Sequence, residues 1–318
     1  MLATLEQIFP YAIAYTIPLL IVALGALYCE RSGIVNIGLD GFMIVGSFAG
    51  AYAITQFQDK VPEGSNMHLW IGLLVAVVVG AIFSLLHAFA SINLSANQVI
   101  SGTAINMIAG SLTIFIARAI TGTGNISIRM GFGREDIPIL SSIPIIGKLF
   151  FSNTYITTWL VLGILIISVF ILYKTKFGMR LRACGENPHA ADAAGINVSK
   201  MRYIGVMISG ALSSLGGAII IVTYSGEFNG SVAGLGFLAL AALIFGQWKP
   251  LGILGATMFF GLAITIANVS GLVPALNSMP PVILKIFPYV ATLIALVIFS
   301  KSSQAPKASG EPYDVKRR

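Results

Sequence analysis

Leu73-Leu74-Val75-Ala76-Val77-Val78-Val79 is an unbroken apolar run. A strand of a membrane β-barrel alternates apolar and polar residues over about ten positions, whereas a helix crossing about 30 Å of hydrocarbon needs about twenty mainly apolar residues in succession. The run lies inside an apolar stretch from 69 to 94, so it reads as part of one membrane-crossing helix. Similar stretches recur along all 318 residues, of which 56% are hydrophobic and 10% charged, with a mean hydropathy of +0.89. Soluble domains carry about a quarter charged residues, so a soluble globular enzyme is excluded. The expected fold is all-α, a polytopic membrane helical bundle.

The candidate spans are 10–28, 34–57, 69–94, 97–120, 155–173, 203–224, 231–247, 250–270 and 282–300, about nine transmembrane helices. Several are short or glycine-interrupted, and some fit half-helices that enter and return, which leaves eight or ten crossings as alternatives. Segment 174–202 holds Lys174, Lys176, Arg180, Arg182, Lys200 and Arg202, and the tail 301–318 is also basic. Both are expected in the cytoplasm, which with an odd number of crossings puts the N-terminus outside. Thirteen of the 19 Lys and Arg are then cytoplasmic and six external. This topology accounts for the net charge of +7 without a nucleic-acid partner. The opening MLATLEQIFP lacks a basic n-region and cleavage site, so the first apolar segment is expected to stay in place as a helix. Cys29 and Cys184 form no CxxC, and His68, His87 and His189 share no ligand spacing, so neither a metal site nor a cofactor is expected. The external segment 121–154, with TGTGN and GFGRED, reads as a docking surface or as an ordinary connector.

The two halves resemble each other weakly. Gly38-Leu39-Asp40-Gly41-Phe42 opens a span reaching Gly46, and Gly234-Leu235-Gly236-Phe237-Leu238 opens one reaching Gly246. Trp70-Ile71-Gly72-Leu73-Leu74 follows the first, and Pro250-Leu251-Gly252-Ile253-Leu254 the second. The copies start from opposite sides of the membrane in the charge-derived topology, which suggests an inverted repeat with the transport path between its halves.

Asp40 is the one acid well inside a span, and an unpaired charge there costs at least about 2.5 kcal/mol. It reads as a substrate contact or proton carrier, or as a structural acid anchoring its span, with Asn36 on the same helical face. Asn97, Gln98, Asn106 and Asn268 are candidates for interhelical glue. Phe228 and Asn229 precede the second Gly-Leu span; a ring beside an amide suits a flat heterocycle or a sugar, and equally an interfacial turn. Asn36, Asp40, Asn106, Phe228 and Asn229 are therefore the candidates for the substrate path.

The connector from Lys174 to Arg202 has internal punctuation. Asn187 is a good N-cap, Pro188 suits the first helical position, His189 to Ala194 fill about two turns, and Gly195 tolerates a left-handed stop. Such a helix between basic flanks is a lever for a soluble partner, or a plain connector.

The stretch Glu30-Arg31-Ser32-Gly33-Ile34-Val35-Asn36-Ile37-Gly38-Leu39-Asp40-Gly41 resembles the first signature of bacterial ATP-binding-cassette importer permeases of the branched-chain amino acid, ribose and simple-sugar superfamily. Arg182-Ala183-Cys184-Gly185-Glu186-Asn187-Pro188 through Ala190 to Ile196 resembles their cassette-coupling loop. Asn97 to Asn106 and Gly234-Leu235-Gly236-Phe237 are similar to the nucleoside, guanosine-type branch. The likeness runs from about residue 11 to 300. It departs at Asp40, where most of that branch carries Glu, and at Cys184, at a commonly aliphatic position.

The resemblance implies one permease domain over 1–318, without enzymatic activity, in a bacterial inner membrane. Its implied partners are two ATP-binding cassette subunits, a second homologous permease and an external substrate-binding lipoprotein, besides membrane lipids. Arg180, Arg182, Glu186, Asn187, Asp192 and Gly195 are then the candidate coupling residues. The chain has no GxxxxGK[ST] phosphate loop, so ATP hydrolysis belongs to another subunit. Import of nucleosides leads. Sugars or riboflavin on the same framework, or a stand-alone secondary transporter or channel, are the alternatives.

Overall fold

The computed structural model describes residues 2–62, 64–144, 146–269 and 304–313, with five single positions between 283 and 294. The expected span 282–300 thus falls almost wholly outside the described residues. Eleven α-helices are described: α1 Leu2–Arg31, α2 Leu39–Phe57, α3 Met67–Ile92, α4 Gln98–Thr121, α5 Ile146–Phe150, α6 Ile156–Lys174, α7 Lys176–Glu186, α8 Pro188–Ala193, α9 Val198–Ile220, α10 Leu235–Phe245 and α11 Pro250–Val269. α9 runs on as a π-helical turn, Ile221–Ser225. Among the described residues six helices are long and apolar enough to cross a membrane: α1, α3, α4, α6, α9 with its π turn, and α11.

Two expected spans take another form. Span 34–57 becomes a non-helical approach followed by α2, whose first turn carries Asp40. Span 231–247 becomes α10, whose 11 residues reach only about 16 Å, half the thickness of the hydrocarbon. This is the half-helix that glycine interruption allows.

Segment 121–154 is folded and tied to the body. β1 Ile126–Ser127 pairs antiparallel with β4 Glu227–Phe228, and β2 Arg134–Glu135 with β3 Thr154–Tyr155. These ladders, with α5, cover one end of the bundle. α7, α8 and residues 304–313 lie at the opposite end, beside the α1–α2 turn.

The core is built on α9, which packs on α1, α2 and α3. α2 packs on α3 and α9, while α10 packs on α11 and α1; α3 lies on α9 as α11 lies on α1. Lipid chains are as apolar as Leu, so close backbone approach through small residues has to hold such helices together. α9 supplies Ser209, Gly210, Ser213, Ser214, Gly216 and Gly217 to these contacts, all buried. A Cβ on Gly46 would stand 2.1 Å from the Ser214 carbonyl oxygen, and one on Gly217 2.0 Å from that of Met43. Ser214 Oγ donates to the Phe42 carbonyl at 2.7 Å across the same contact. Gly46→Val is therefore expected to prise α2 from α9, costing about 3 kcal/mol, whereas Gly110→Ala, with nothing within 4 Å, is expected to be silent; the thermal denaturation midpoints of the two purified variants check this.

Candidate functional site

α1 ends at Arg31 and α2 does not begin until Leu39. Between them the chain turns back into the bundle in extended form, which leaves backbone groups that neither helix can satisfy. Side chains from α3 and α4 do so, together with Asn36 of the segment itself, which α9 holds in place. Gln98 Oε1 accepts from the Val35 N–H at 2.7 Å, and His87 Nε2 lies 3.1 Å from the Val35 carbonyl, while its Nδ1 is 2.9 Å from Ser101 Oγ. Asn36 Oδ1 accepts from the Gly38 N–H at 3.0 Å, and its amide donates to Ser209 Oγ at 2.9 Å. Asn106 serves both strands of the junction: Nδ2 donates to the Ile37 carbonyl at 3.0 Å and Oδ1 accepts from the Gly41 N–H at 2.7 Å.

The start of α10 meets the start of α2 at the same place. Asp40 Oδ1 accepts from the Gly236 N–H at 2.9 Å. A Cβ on Gly236 would stand 2.4 Å from the Asp40 nitrogen, so glycine is required there. Two helix N-termini, each with partial positive charge, thus share one carboxylate. α10 runs from this point to Phe245, and Trp248 in the turn that follows is bonded to the end of α1, so Asp40 sits about 16 Å inside that end. Asp40 and Asn106 are each half-buried. No second hydrogen bond to the Asp40 carboxylate is found among the described residues.

The five path candidates therefore divide. Asn36, Asp40 and Asn106 converge on the junction, with Asn36 fully buried. Phe228 is 1% exposed and packs edge-on against Phe48, ring centroids 5.5 Å apart. Asn229 is exposed and lines a cavity of about 500 Å³ with Tyr15, Tyr224, Leu235 and Asn268. Of the other amides, Asn97 caps its own helix by accepting from Val99 and Ile100.

At the opposite end the connector has the punctuation its sequence suggests. Asn187 Oδ1 accepts from the Ala190 N–H at 3.0 Å, Pro188 opens α8, and Gly195 has φ +80°. α7 is additional: Thr175 caps it by accepting from the Gly178 N–H at 3.2 Å. Arg180, Glu186, Asn187 and Gly195 are exposed and Asp192 half-buried, while Arg182 lies over the Tyr173 ring at 5.1 Å. Burial pushes the Cys184 thiol up to about 11, so it carries no thiolate at neutral pH.

Contacts missed in the sequence tie the end of α1 both to this connector and to the turn between α10 and α11. Arg31 Nη1 is 3.7 Å from Glu186 Oε1, and its Nη2 donates to the Trp248 carbonyl at 2.8 Å. Trp248 Nε1 donates to Glu30 Oε2 at 2.5 Å. The tail is bound rather than loose: Ala308 N–H donates to the Gly185 carbonyl at 2.9 Å and Gly310 N–H to that of Gly33 at 3.1 Å. Arg202, 1% exposed, donates to the Glu311 carbonyl at 3.1 Å beneath Tyr313. Pro306, Gly310 and Tyr313 are the only sequence signals of that strap, and none is specific.

Helix ends held inside an apolar bundle, with a folded connector at one face, are the apparatus of a solute permease. The family described as branched-chain amino acid transport system / permease component matches residues 8–297, and the chain belongs to it as a multi-pass membrane permease. It is 45% identical over 311 residues to the guanosine ABC transporter permease protein NupQ of Bacillus subtilis (strain 168), covering 97% of each chain. It is 41% identical over 311 residues to the nucleoside ABC transporter permease protein NupC of Lactococcus lactis subsp. cremoris (strain MG1363), covering 98% of this chain and 97% of the relative. In fold it is similar to an inward-facing metal-chelate type ABC transporter, with TM-score 0.50 and 16% identity over 92% of this chain and 85% of that one.

Asp40→Ala removes the acceptor of a buried N–H and is expected to destabilise the α2–α10 junction by about 1–3 kcal/mol. Asp40→Asn keeps an oxygen for Gly236 and should lose less. Comparing detergent unfolding midpoints of the two variants checks this order.

Proposed function

We propose that this chain is the membrane subunit of an ATP-driven importer of nucleosides, working in a bacterial inner membrane. Similarity over nearly the full length to two nucleoside-family permeases carries the reading. Two ATP-binding cassette subunits bind from below, a second homologous permease completes the membrane unit, and an external lipoprotein delivers the substrate. The N-terminus lies outside and segments 174–202 and 301–318 in the cytoplasm, as the basic residues of both favour.

α1, α2 and α3 form one half of an inverted repeat, and α9, α10 and α11 the other. The exchange of packing partners between these triplets supports this, as does the meeting of their second helices head to head. About nine membrane segments remain the reading of the apolar stretches of the sequence, and α10 is a half-helix among them. The path runs past Asp40, Asn106 and Asn229, with Asn36 and Phe228 holding its walls.

Arg180, Arg182, Glu186, Asn187, Asp192 and Gly195 form the face on which an ATPase subunit docks. Arg31 connects that face with the α10–α11 turn, and α10 connects the turn with Asp40. A push on α7 and α8 is thereby passed along a rigid half-helix to the middle of the membrane.

Uptake of labelled guanosine, ribose and riboflavin by the importer reconstituted with all its subunits tests the substrate. Guanosine uptake dependent on ATP is expected, and uptake of ribose alone would overturn the reading. In the same vesicles Arg31→Ala should lower substrate-stimulated ATP hydrolysis about tenfold while the complex still assembles. For orientation, a cysteine replacing Asn125 should react with an impermeant maleimide in intact cells and one replacing Lys176 should not.

A further inference from the structure

Asp40, Ile44, Phe48 and Tyr52 follow one another at four-residue spacing, so successive members are neighbours and the four form one ridge that winds slowly around α2. Ile44 is buried and separates two more open stations, Asp40 at the junction and the aromatic pair beyond it. Asp40 and Phe48 are half-buried, and Tyr52 is 36% exposed. The Phe48 and Tyr52 rings are parallel within 4°, their centroids 6.3 Å apart, and Phe228 braces Phe48 from behind.

Lipid is a poor occupant for this stripe. A half-exposed carboxylate about 16 Å inside the bundle would be costly against hydrocarbon, since even a helix-borne acid at the bilayer centre costs about 2.5–3.5 kcal/mol. The chemistry fits a solute with a flat ring at one end and hydroxyls at the other. Parallel aromatic faces bind a base by stacking whatever its hydrogen-bonding edge. One carboxylate oxygen is committed to Gly236, which leaves the other to accept from a hydroxyl.

We propose that this stripe of α2 is a nucleoside-binding surface inside the membrane, on which Phe48 and Tyr52 stack the base and Asp40 receives the ribose hydroxyls. It rests on the reading of the chain as a nucleoside importer, and adds that the permease itself selects for a base. The stations differ in kind. A plain sugar finds only the acid, whereas a nucleoside is held first by the rings, then about 12 Å further along by the carboxylate, each hold weak enough to release it.

The test uses the complete importer in proteoliposomes. Tyr52→Leu should raise the KM for guanosine about tenfold, and Tyr52→Phe, which keeps the ring, should restore it to near the original value. A cysteine at position 52, labelled with a maleimide, should be protected by guanosine and not by ribose. Should the Leu variant fail to assemble, the Phe variant and the cysteine labelling decide. An unchanged KM in Tyr52→Leu, or labelling indifferent to guanosine, overturns the proposal even if the unaltered importer carries nucleosides; the second result would mean that the face is covered by lipid or by the other permease. Failure of the unaltered importer to carry guanosine would instead overturn the functional reading itself.

Discussion

The backbone from Gly33 to Gly38 runs through the bundle without a helix to satisfy it, and every other feature of the centre answers that constraint. In hydrocarbon an unsatisfied N–H or carbonyl costs several kcal/mol, so broken helices persist only where protein supplies partners. Here Gln98, His87, Asn36 and Asn106 supply them at Val35, Ile37, Gly38 and Gly41. The amides and the imidazole are thus the means by which a chain at membrane depth can be irregular at all. Irregularity there is what lets α2 start in the middle of the membrane and present its N-terminus to α10.

α10 is the element that such a start makes useful. Its far end is clasped by Glu30 and Arg31 through Trp248, and its near end by Asp40. A helix of 11 residues held at both ends moves as a unit, because bending it would break its internal hydrogen bonds. The contacts at its far end include one to the connector, through Glu186. The tail adds a second tie, since Arg202 is buried and its guanidinium takes the Glu311 carbonyl as partner. A buried charge left without its partner is strongly destabilising, so the strap belongs to the same mechanical unit as α7 and α9.

Much of this was legible in the sequence, and the reason lies in the range of the signals. Apolar runs located α1, α3, α4, α6, α9 and α11, because length and hydropathy are local properties. Gly38-Leu39 and Gly234-Leu235 stand at the actual helix starts, four or five residues inside the expected spans 34–57 and 231–247. Asn187, Pro188 and Gly195 gave the outline of α8, since capping is decided within a few residues. The misses involve partners far apart in the chain. Nothing beside His87 points to Val35, nothing beside Trp248 points to Glu30, and a basic tail reads as solvated until Arg202 is found beneath it. Phe48 and Tyr52 escaped notice because an aromatic residue in an apolar span is ordinary until its face is known to be open.

The identity of the residue at 40 follows from the closeness of α10. With Gly236 lacking a side chain, the two helix starts approach until a single methyl group would collide with the Asp40 backbone. At that separation a carboxylate one methylene from the backbone reaches the Gly236 N–H directly, at 2.9 Å, from the first turn of its own helix. A longer acid would have to fold back or push the two helix starts apart. The short acid and the bare glycine are therefore an interdependent pair, in which a change at either alters the geometry the other requires, while Asn106 fixes the start of α2 that carries the acid.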